Sequence, residues 1–304
     1  MFRIFLGFIA LLFAHVTFAQ DVSTADAVIE RPWKVTLSTE TSMQLGQETA
    51  APFVSELNQE TALSFTYKLG ASGYSVNIRQ PFYNTFLETG VNDVGSFYVG
   101  DTELNLKKAS IGTITPSDVK LGAGLRVVLP TDKITPSQSD SGFLAYFAPS
   151  ISAIKNWTRL TLGTTLASRF YLFSKEAYPI YSFEDREATT RTVVIESYAN
   201  PITRQIIQGI LGYKITEKVG LGTVAQLELD WRHDPKPNQP AKGAPRFMLI
   251  PEVTYSPLGA VELAAGVVVG GSSYGARKLR DVWFNNQDEL LTSSTAYANV
   301  SYTF

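Results

Sequence analysis

Apolar and polar side chains alternate with a period of two along most of this chain. In residues 295–304, Ala296, Ala298, Val300, Tyr302 and Phe304 fall on one side and polar residues fall on the other. This alternation is typical of a β-strand with one apolar face. It predicts twelve strands after the N-terminal region, approximately at residues 33–43, 60–69, 74–80, 98–107, 119–129, 143–154, 157–173, 204–215, 219–231, 247–255, 261–270 and 295–304.

The connections between these strands alternate between long and short. Odd-numbered strands are followed by long segments, and even-numbered strands by short turns, of which 109–118 is the longest. A β-sandwich has no reason to sort its loops in this way, whereas a membrane barrel has short turns on one side and long loops on the other. The sequence therefore predicts an all-β fold, a closed antiparallel transmembrane β-barrel of about 12 strands. The alternative is 14 strands, if residues 189–196 pair with a neighbour.

The N-terminus has the pattern of a secretory signal. Arg3 precedes an apolar stretch at residues 4–13, and the small residues Thr17 and Ala19 precede Gln20. We therefore expect residues 1–19 to be a cleaved signal peptide and residues 20–304 to form a single barrel domain. No other stretch has about 18 consecutive apolar residues, so a membrane-embedded chain must cross as strands.

The last strand ends on an aromatic residue. With Val300 and Tyr302 on the same face as Phe304, it resembles the closing strand of bacterial outer-membrane β-barrels, in which the final aromatic residue is read by the assembly machinery. The resemblance implies a bacterial outer-membrane location, with outer-membrane lipid and the assembly machinery as partners. Val300, Tyr302 and Phe304 are the candidate assembly signal.

Composition agrees with this class of protein. The chain has 26 basic and 28 acidic residues and no cysteine, so its charge gives no reason to expect nucleic acid as a partner. Aromatic residues make up 12%, which suits the two interfacial girdles of a membrane barrel.

Charged residues on the polar faces are expected to line the lumen, since a Lys or Arg facing hydrocarbon costs about 2–4 kcal/mol. A mostly basic arc is predicted from Lys68, Arg79, Lys120, Arg126, Arg159, Arg169 and Lys214, with Asp101 and Glu103 also facing inward on the fourth strand. An acidic arc is predicted from Glu228, Asp230, Glu252 and Glu262, with no base beside them in the strand interiors. An open lumen with opposed arcs resembles the constriction of general diffusion porins, whereas in a narrow lumen the same residues would pair across it and close it.

The sequence gives little support for catalysis. After the predicted signal the only histidine is His233, in Arg232-His233-Asp234-Pro235. Outer-membrane phospholipases resemble this chain in strand number, but their histidine and nearby serine have no counterpart here. We therefore predict no catalytic residues, no cofactor and no metal site.

Two further features have alternative interpretations. The segment 174–203, with Glu184, Asp185, Arg186 and Glu187, is either a solvated loop or an inward constriction. Where the first and last strands should meet, the outward residues are small or polar. These residues, Thr39, Thr41, Ala296 and Ala298, form either a subunit seam in a homo-oligomer or a place where the face assignment drifts.

The function predicted from these observations is a passive porin-like channel for small polar solutes or an oligomer-forming structural porin. The alternative is an occluded barrel that acts through its extracellular loops as an adhesin, a receptor or a structural membrane protein. A lipid-modifying enzyme is the third possibility.

Overall fold

The computed structural model describes residues 31–44, 57–87, 97–131, 143–175, 177–184, 192–233, 245–270 and 294–304. Every described strand lies in one compact unit, Pro32–Phe304. The predicted signal peptide lies outside the described residues and stays a prediction. No helix in the described residues is long and apolar enough to cross a membrane.

Extended strands account for almost all of the described residues. Their bounds are β1 Trp33–Gln44, β2 Leu57–Lys68, β3 Tyr74–Leu87, β4 Phe97–Val99, β5 Thr102–Ile114, β6 Val119–Leu129, β7 Phe143–Asn156, β8 Leu160–Phe173, β9 Ala177–Glu184, β10 Thr192–Ala199, β11 Pro201–Lys214, β12 Val219–Arg232, β13 Pro245–Leu258, β14 Val261–Gly270 and β15 Thr295–Thr303.

The main sheet closes on itself as an antiparallel barrel. β1 pairs with β2 on one side and with β15 on the other, so the first and last strands leave no free edge. β5 pairs with the first part of β3, and the short β4 pairs with the later part of β3. β4 and β5 therefore share one strand position in the barrel. The prediction of a closed twelve-stranded barrel is therefore confirmed.

The fourteen-strand alternative is wrong. β9 and β10 pair only with each other, in a separate two-stranded sheet. They follow β8 and precede β11, which are neighbours in the barrel, so they prolong that hairpin and add no strand position.

The two ends of the barrel differ in the length of their connections. The short-turn end carries the turns at residues 69–73, 115–118, 157–159, 215–218 and 259–260. The opposite end, called here the long-loop end, carries the longer connections. The predicted turn at 109–118 is shorter than expected because β5 continues to Ile114. An irregularity in register between Lys108 and Gly112 interrupts the alternation that marks the strand in the sequence.

The outer surface is apolar. Register places Leu37 beside Leu63 and Phe65 beside Ile78, and all four of these outward side chains are more than 40% exposed. Aromatic side chains lie at both ends of this apolar band, as in a membrane barrel. The outward aromatic residues are Trp33, Tyr67, Tyr74, Tyr213, Tyr255 and Tyr302 toward the short-turn end, and Phe147, Phe170 and Trp231 toward the long-loop end.

Candidate functional site

The lumen is lined by the opposite face of the same strands. Arg126 on β6 lies opposite Asn105 on β5 and Ala148 on β7, and all three point away from the apolar outer face. In the described residues the buried apolar side chains are few and mostly small, Ala62, Val128, Ala148, Ala199, Ile206 and Val261. Polar side chains therefore dominate the inner wall, which is the candidate site.

A ladder of ion pairs crosses four neighbouring strand positions on one side of the lumen. Arg79 on β3 pairs with Glu60 on β2 and, at 3.2 Å, with Glu103 on β5. Arg126 on β6 also pairs with Glu103. We call Glu60, Arg79, Glu103 and Arg126 the β2–β6 ladder. Acid and base alternate along it, so its two arginines are neutralised by carboxylates on adjacent strands.

A more buried cluster lies toward the long-loop end on β11, β12 and β13. Arg204 binds both carboxylate oxygens of Asp230, and its Nη1 atom lies 3.1 Å from Oε2 of Glu228. Arg232 and Arg246 reach Asp230 Oδ2 at 3.4 and 3.2 Å. The Asp230 side chain is only 5% exposed. We call Arg204, Glu228, Asp230, Arg232 and Arg246 the β11–β13 cluster.

Aromatic rings occupy the wall between the ladder and the cluster. The guanidinium of Arg169 on β8 lies 5.5 Å from the ring centre of Tyr146 on β7. The guanidinium of Arg204 lies 5.9 Å from the ring centre of Tyr171 on β8. These distances are within the range of cation–π contacts. The ring contact holds Arg169 on a strand with no inward carboxylate, and for Arg204 it adds to the ion pairs with Asp230 and Glu228.

On the wall formed by β13, β14 and β15, a tyrosine side chain lies along the inner surface. Tyr297 on β15 donates to Oε2 of Glu252 on β13 at 2.8 Å. The strand between them, β14, has Gly266 at this level, and a Cβ atom there would lie 2.6 Å from the Tyr297 hydroxyl. Glycine is required at this position because the tyrosine passes directly over its backbone.

The ion pairs between described residues run around the wall of the barrel. Each ion pair of the described residues joins side chains of the same strand or of neighbouring strand positions. The side chains therefore follow the wall, and in the part of the chain that the structure describes no ion pair crosses the lumen. The Tyr297–Glu252 bond, which spans one intervening strand, also follows the wall.

The prediction that no base accompanies the acidic arc is wrong, because Arg246 on β13 contacts Asp230. In the predicted basic arc, Glu60 joins Glu103 as a second inward acid that pairs with the bases. The predicted strand containing Glu252 began one residue after Arg246, which placed that arginine in a loop. Glu60 and Arg204 lay within predicted strands, and extending the alternation to them would have identified both as inward residues.

Lysines lie at the short-turn end of the lumen. Lys34 and Lys120 are the second residues of β1 and β6, and Lys68 and Lys214 are the last residues of β2 and β11. The pairing of these strands places all four side chains on the inner face of the barrel, and all four are exposed. We call these four residues the lysine mouth. Lys107, farther along β5, also points inward and is exposed.

Two other predicted members of the arcs lie near this end. Glu262 is the second residue of β14, is exposed, and has the parity of the inward face. Arg159 lies in the turn at 157–159. β8 begins at Leu160, three residues after the predicted start, and the assignment of Arg159 to the lumen wall stays a prediction.

Small residues leave room beside the lysine mouth. Gly222 on β12 faces inward between Gly212 and Glu252, and a Cβ atom added there would meet nothing within 4 Å. Gly209 on β11 is equally free of neighbours but has the parity of Ile207 and Leu211, which face outward. Gly222 therefore has open space on its lumen side, and Gly209 has open space on its outer side, in the same part of the barrel.

The closing strand joins β1 over its whole length. Phe304 donates its backbone N–H to Val35 at 2.9 Å, and its ring packs edge-on against Tyr302 at 4.5 Å. The Phe304 residue is nevertheless 63% exposed. Val300 lies opposite Thr39 and faces the same side as Tyr302. The backbone bonds close the barrel, and most of the terminal ring remains accessible.

The residues of the predicted subunit seam lie together on the outer face. Thr41 is opposite Ala298, and Ala296 is opposite Met43. The hydroxyl of Thr39 lies 3.3 Å from that of Thr61 on β2, which satisfies it within the barrel. The face assignment therefore does not drift here, because Thr39 and Thr41 keep the parity of Leu37.

The segment 174–203 is partly described. Its strands β9 and β10 form the hairpin that prolongs β8 and β11. Of its charged run, Glu184 ends β9, and Asp185, Arg186 and Glu187 lie outside the described residues. Whether this segment constricts the lumen stays a prediction.

The histidine that the sequence offers after the predicted signal lies at the long-loop end of the barrel. His233 follows the last residue of β12, and its backbone N–H donates to Asn200 at 3.2 Å. Within the described ranges, no group of three His, Cys, Asp or Glu side chains is arranged to hold a metal ion.

Comparisons with known proteins agree with the fold. No protein-family model and no curated protein sequence matches this chain. An outer-membrane channel from Pseudomonas putida F1 is similar, with a TM-score of 0.54, 10% identity, and coverage of 93% of this chain and 100% of that chain. The NanC porin has a TM-score of 0.48, 9% identity, and coverage of 88% and 98%. The chain therefore has the fold of outer-membrane β-barrels, and at this identity the solute is left open.

Proposed function

We propose that this protein is a passive channel of the bacterial outer membrane, which passes small polar solutes through the barrel. The short-turn end would face the periplasm and the long-loop end the exterior, as is usual for these barrels. Outer-membrane lipid would surround the apolar band and its aromatic residues. The observation that carries the proposal is that the charged side chains of the lumen pair along the wall.

This direction of pairing matters because a twelve-stranded barrel is of intermediate width. Eight strands enclose a lumen that side chains fill, and sixteen leave a water-filled channel. In an occluded barrel of this size, long charged side chains would meet across the lumen. Arg79, Arg126 and Arg204 instead reach carboxylates on neighbouring strands. The open space at Gly222 and the exposed lysine mouth support the same conclusion.

Conductance across planar lipid bilayers tests this function. The refolded full chain should give discrete conductance steps. Gly222→Trp should reduce them severalfold because the indole enters the lumen. Gly209→Trp is the matched control, since it adds the same side chain to the lipid-facing surface and should leave conductance unchanged.

Absence of conductance, with insertion verified by protease protection, would overturn the channel proposal. It would favour the alternative, an occluded barrel that acts through its extracellular loops. Equal effects of the two tryptophan variants would also contradict it, because they would locate the conducting path outside the lumen.

We further propose that Val300, Tyr302 and Phe304 are the signal that the assembly machinery reads. Their position at the end of the closing strand, with Val300 and Tyr302 on the outer face, supports this. Removing Phe304 should lower the amount of folded barrel in the outer membrane and leave the conductance of inserted molecules unchanged. Full assembly of the truncated chain in cells would contradict this role.

The outer face around Thr41 and Ala298 is proposed as a seam between copies of the barrel. Small side chains allow close approach in membranes, and the Thr39 hydroxyl is already satisfied inside the barrel. Replacing Thr39 and Ala298 by leucine should reduce the mass of the particle in mild detergent. Leu63→Phe on the adjacent lipid face serves as the control. An unchanged mass in the double variant would exclude the seam.

A further inference from the structure

The charges at the short-turn end of the lumen are unbalanced. The lysine mouth places basic groups on β1, β2, β6 and β11, which are distributed around much of the barrel. Glu262 is the acid that the inward face contributes to the ends of these strands. None of the described carboxylates lies within ion-pair distance of Lys34, Lys120 or Lys214. This end therefore has an excess of positive charge.

Farther along the lumen, acids and bases face inward in similar numbers, and most of them are paired. The inward acids Glu40 and Glu252 and the inward bases Lys107 and Arg169 form no ion pair with a described residue. The β2–β6 ladder contains two acids and two bases in contact. In the β11–β13 cluster, Glu228 and Asp230 contact Arg204, and Asp230 also contacts Arg232 and Arg246. Bases therefore outnumber acids most clearly at the short-turn end of the lumen.

A solute in the lumen would experience this excess directly. The field of exposed charges falls off over about 8 Å at physiological ionic strength. A cleft lined by one sign of charge, with walls of low dielectric constant, concentrates the opposite ions. The open space at Gly222, the fourth residue of β12, lies at the same end of the lumen. Anions passing this end would be attracted, and cations would be repelled.

We propose that the channel is selective for small organic anions that carry carboxylate or phosphate groups, and that the lysine mouth is the element that selects them. This inference rests on the proposed channel function. Each lysine ammonium is a compact charge with three donors and does not impose the planar, two-point geometry of arginine. The mouth therefore selects by charge and accepts anions of different shapes.

The reversal potential across a bilayer with a potassium chloride gradient measures this selectivity. The unmodified channel should pass chloride in preference to potassium. The triple variant Lys34→Glu, Lys120→Glu, Lys214→Glu should reverse the preference, with a change in the permeability ratio of about tenfold, the lower bound for electrostatic focusing. Lys155→Glu is the control, because Lys155 lies at the same end but faces outward beside Leu162. It should leave the ratio unchanged.

A second variant separates charge from folding. Lys34→Gln, Lys120→Gln, Lys214→Gln removes three charges without adding repulsive ones, and it should bring the permeability ratio close to one. Folding of each variant is checked by the heat-dependent mobility of the barrel on gels. Vesicle swelling in potassium succinate, compared with neutral ribose, extends the test to an organic anion. The glutamine variant should slow swelling in succinate and leave swelling in ribose unaltered.

The outcomes distinguish this inference from the proposed function. Anion selectivity would be overturned if the unmodified channel conducted but preferred potassium. It would also be overturned if both lysine variants kept the chloride preference of the unmodified channel. Either result would leave the channel function standing. The absence of conductance in the unmodified protein would overturn both. A loss of chloride preference in the lysine variants, with none in Lys155→Glu, would establish the inference.

Discussion

The β11–β13 cluster and the lysine mouth are both built from charged side chains on the inner face of one barrel, but their surroundings are opposite. Asp230 is 5% exposed and contacts three arginines. Lys34, Lys120 and Lys214 are exposed and lack an ion-pair partner in the described residues. A buried ion pair must be matched closely, because each unmatched charge keeps its desolvation cost. Exposed charges have little effect on stability and remain available to solutes.

This comparison teaches that charge in the lumen has two separate roles. In the cluster and the ladder, charged groups bind one another and fix the wall. At the mouth, Lys34, Lys120 and Lys214 form no ion pair with a described residue, and the role proposed for them is to act on passing solutes. Variants in the two regions should therefore differ in what they change, stability in the first and selectivity in the second.

The largest effect on stability is expected from Asp230→Ala. The substitution leaves Arg204, Arg232 and Arg246 close together with Glu228 as the remaining acid, so it should lower the free energy of unfolding by about 3–5 kcal/mol. Urea unfolding in lipid vesicles, followed by tryptophan fluorescence, measures this. Glu262→Ala removes an acid from the exposed end and should cost less than about 1 kcal/mol. Equal losses would remove the distinction between the two regions.

A smaller effect on stability is expected from Glu103→Gln in the β2–β6 ladder. Its partners Arg79 and Arg126 are 27% and 37% exposed at their side chains, so the loss should be about 1 kcal/mol. The ladder would then carry a net positive charge and resemble the mouth. Chloride preference should rise as a result, measured as a shift in reversal potential.

The double variant Glu103→Gln, Arg126→Gln is the control for this prediction. It restores the charge balance of the ladder and should return the selectivity to that of the unmodified channel. If the double variant kept the altered selectivity, the change would come from a distorted wall and not from charge.

The smallest effect on stability is expected from the triple lysine-to-glutamine variant of the mouth. Exposed lysines without a partner should contribute less than about 0.5 kcal/mol each. The same variant is the one expected to abolish chloride preference. A loss of stability comparable to that of Asp230→Ala would mean that the mouth is part of the structural wall.

Much of the barrel could be predicted from residue order alone. The period-two alternation identified all twelve strand positions, because one face of each strand must contact lipid and the other must not. Errors occurred where the alternation is interrupted, as between Lys108 and Gly112, or where a strand continues beyond its apolar residues, as at Arg246. The inward face of Lys68, Lys120 and Lys214 also follows from parity.

The partners of the charged residues could not be predicted in the same way. Parity tells which face a side chain occupies, but not its height relative to residues on the next strand. Glu60 contacts Arg79, although the register pairs Arg79 with Ser64. Strands in a barrel are tilted, so side chains at one height are displaced along the register. Counting positive and negative residues strand by strand therefore predicted two arcs, whereas the folded wall contains ion pairs between neighbouring strands.

The sequence by itself determined that this chain is a closed barrel with an apolar exterior, a polar lumen and two unlike ends. These properties depend on local alternation and loop length, which every strand carries independently. Only the tertiary structure decided that Arg79, Arg126 and Arg204 pair with carboxylates along the wall. Lys34, Lys120 and Lys214 form no ion pair with a described residue. That distinction depends on strand register and tilt, which are set by the sheet as a whole and which no single segment specifies.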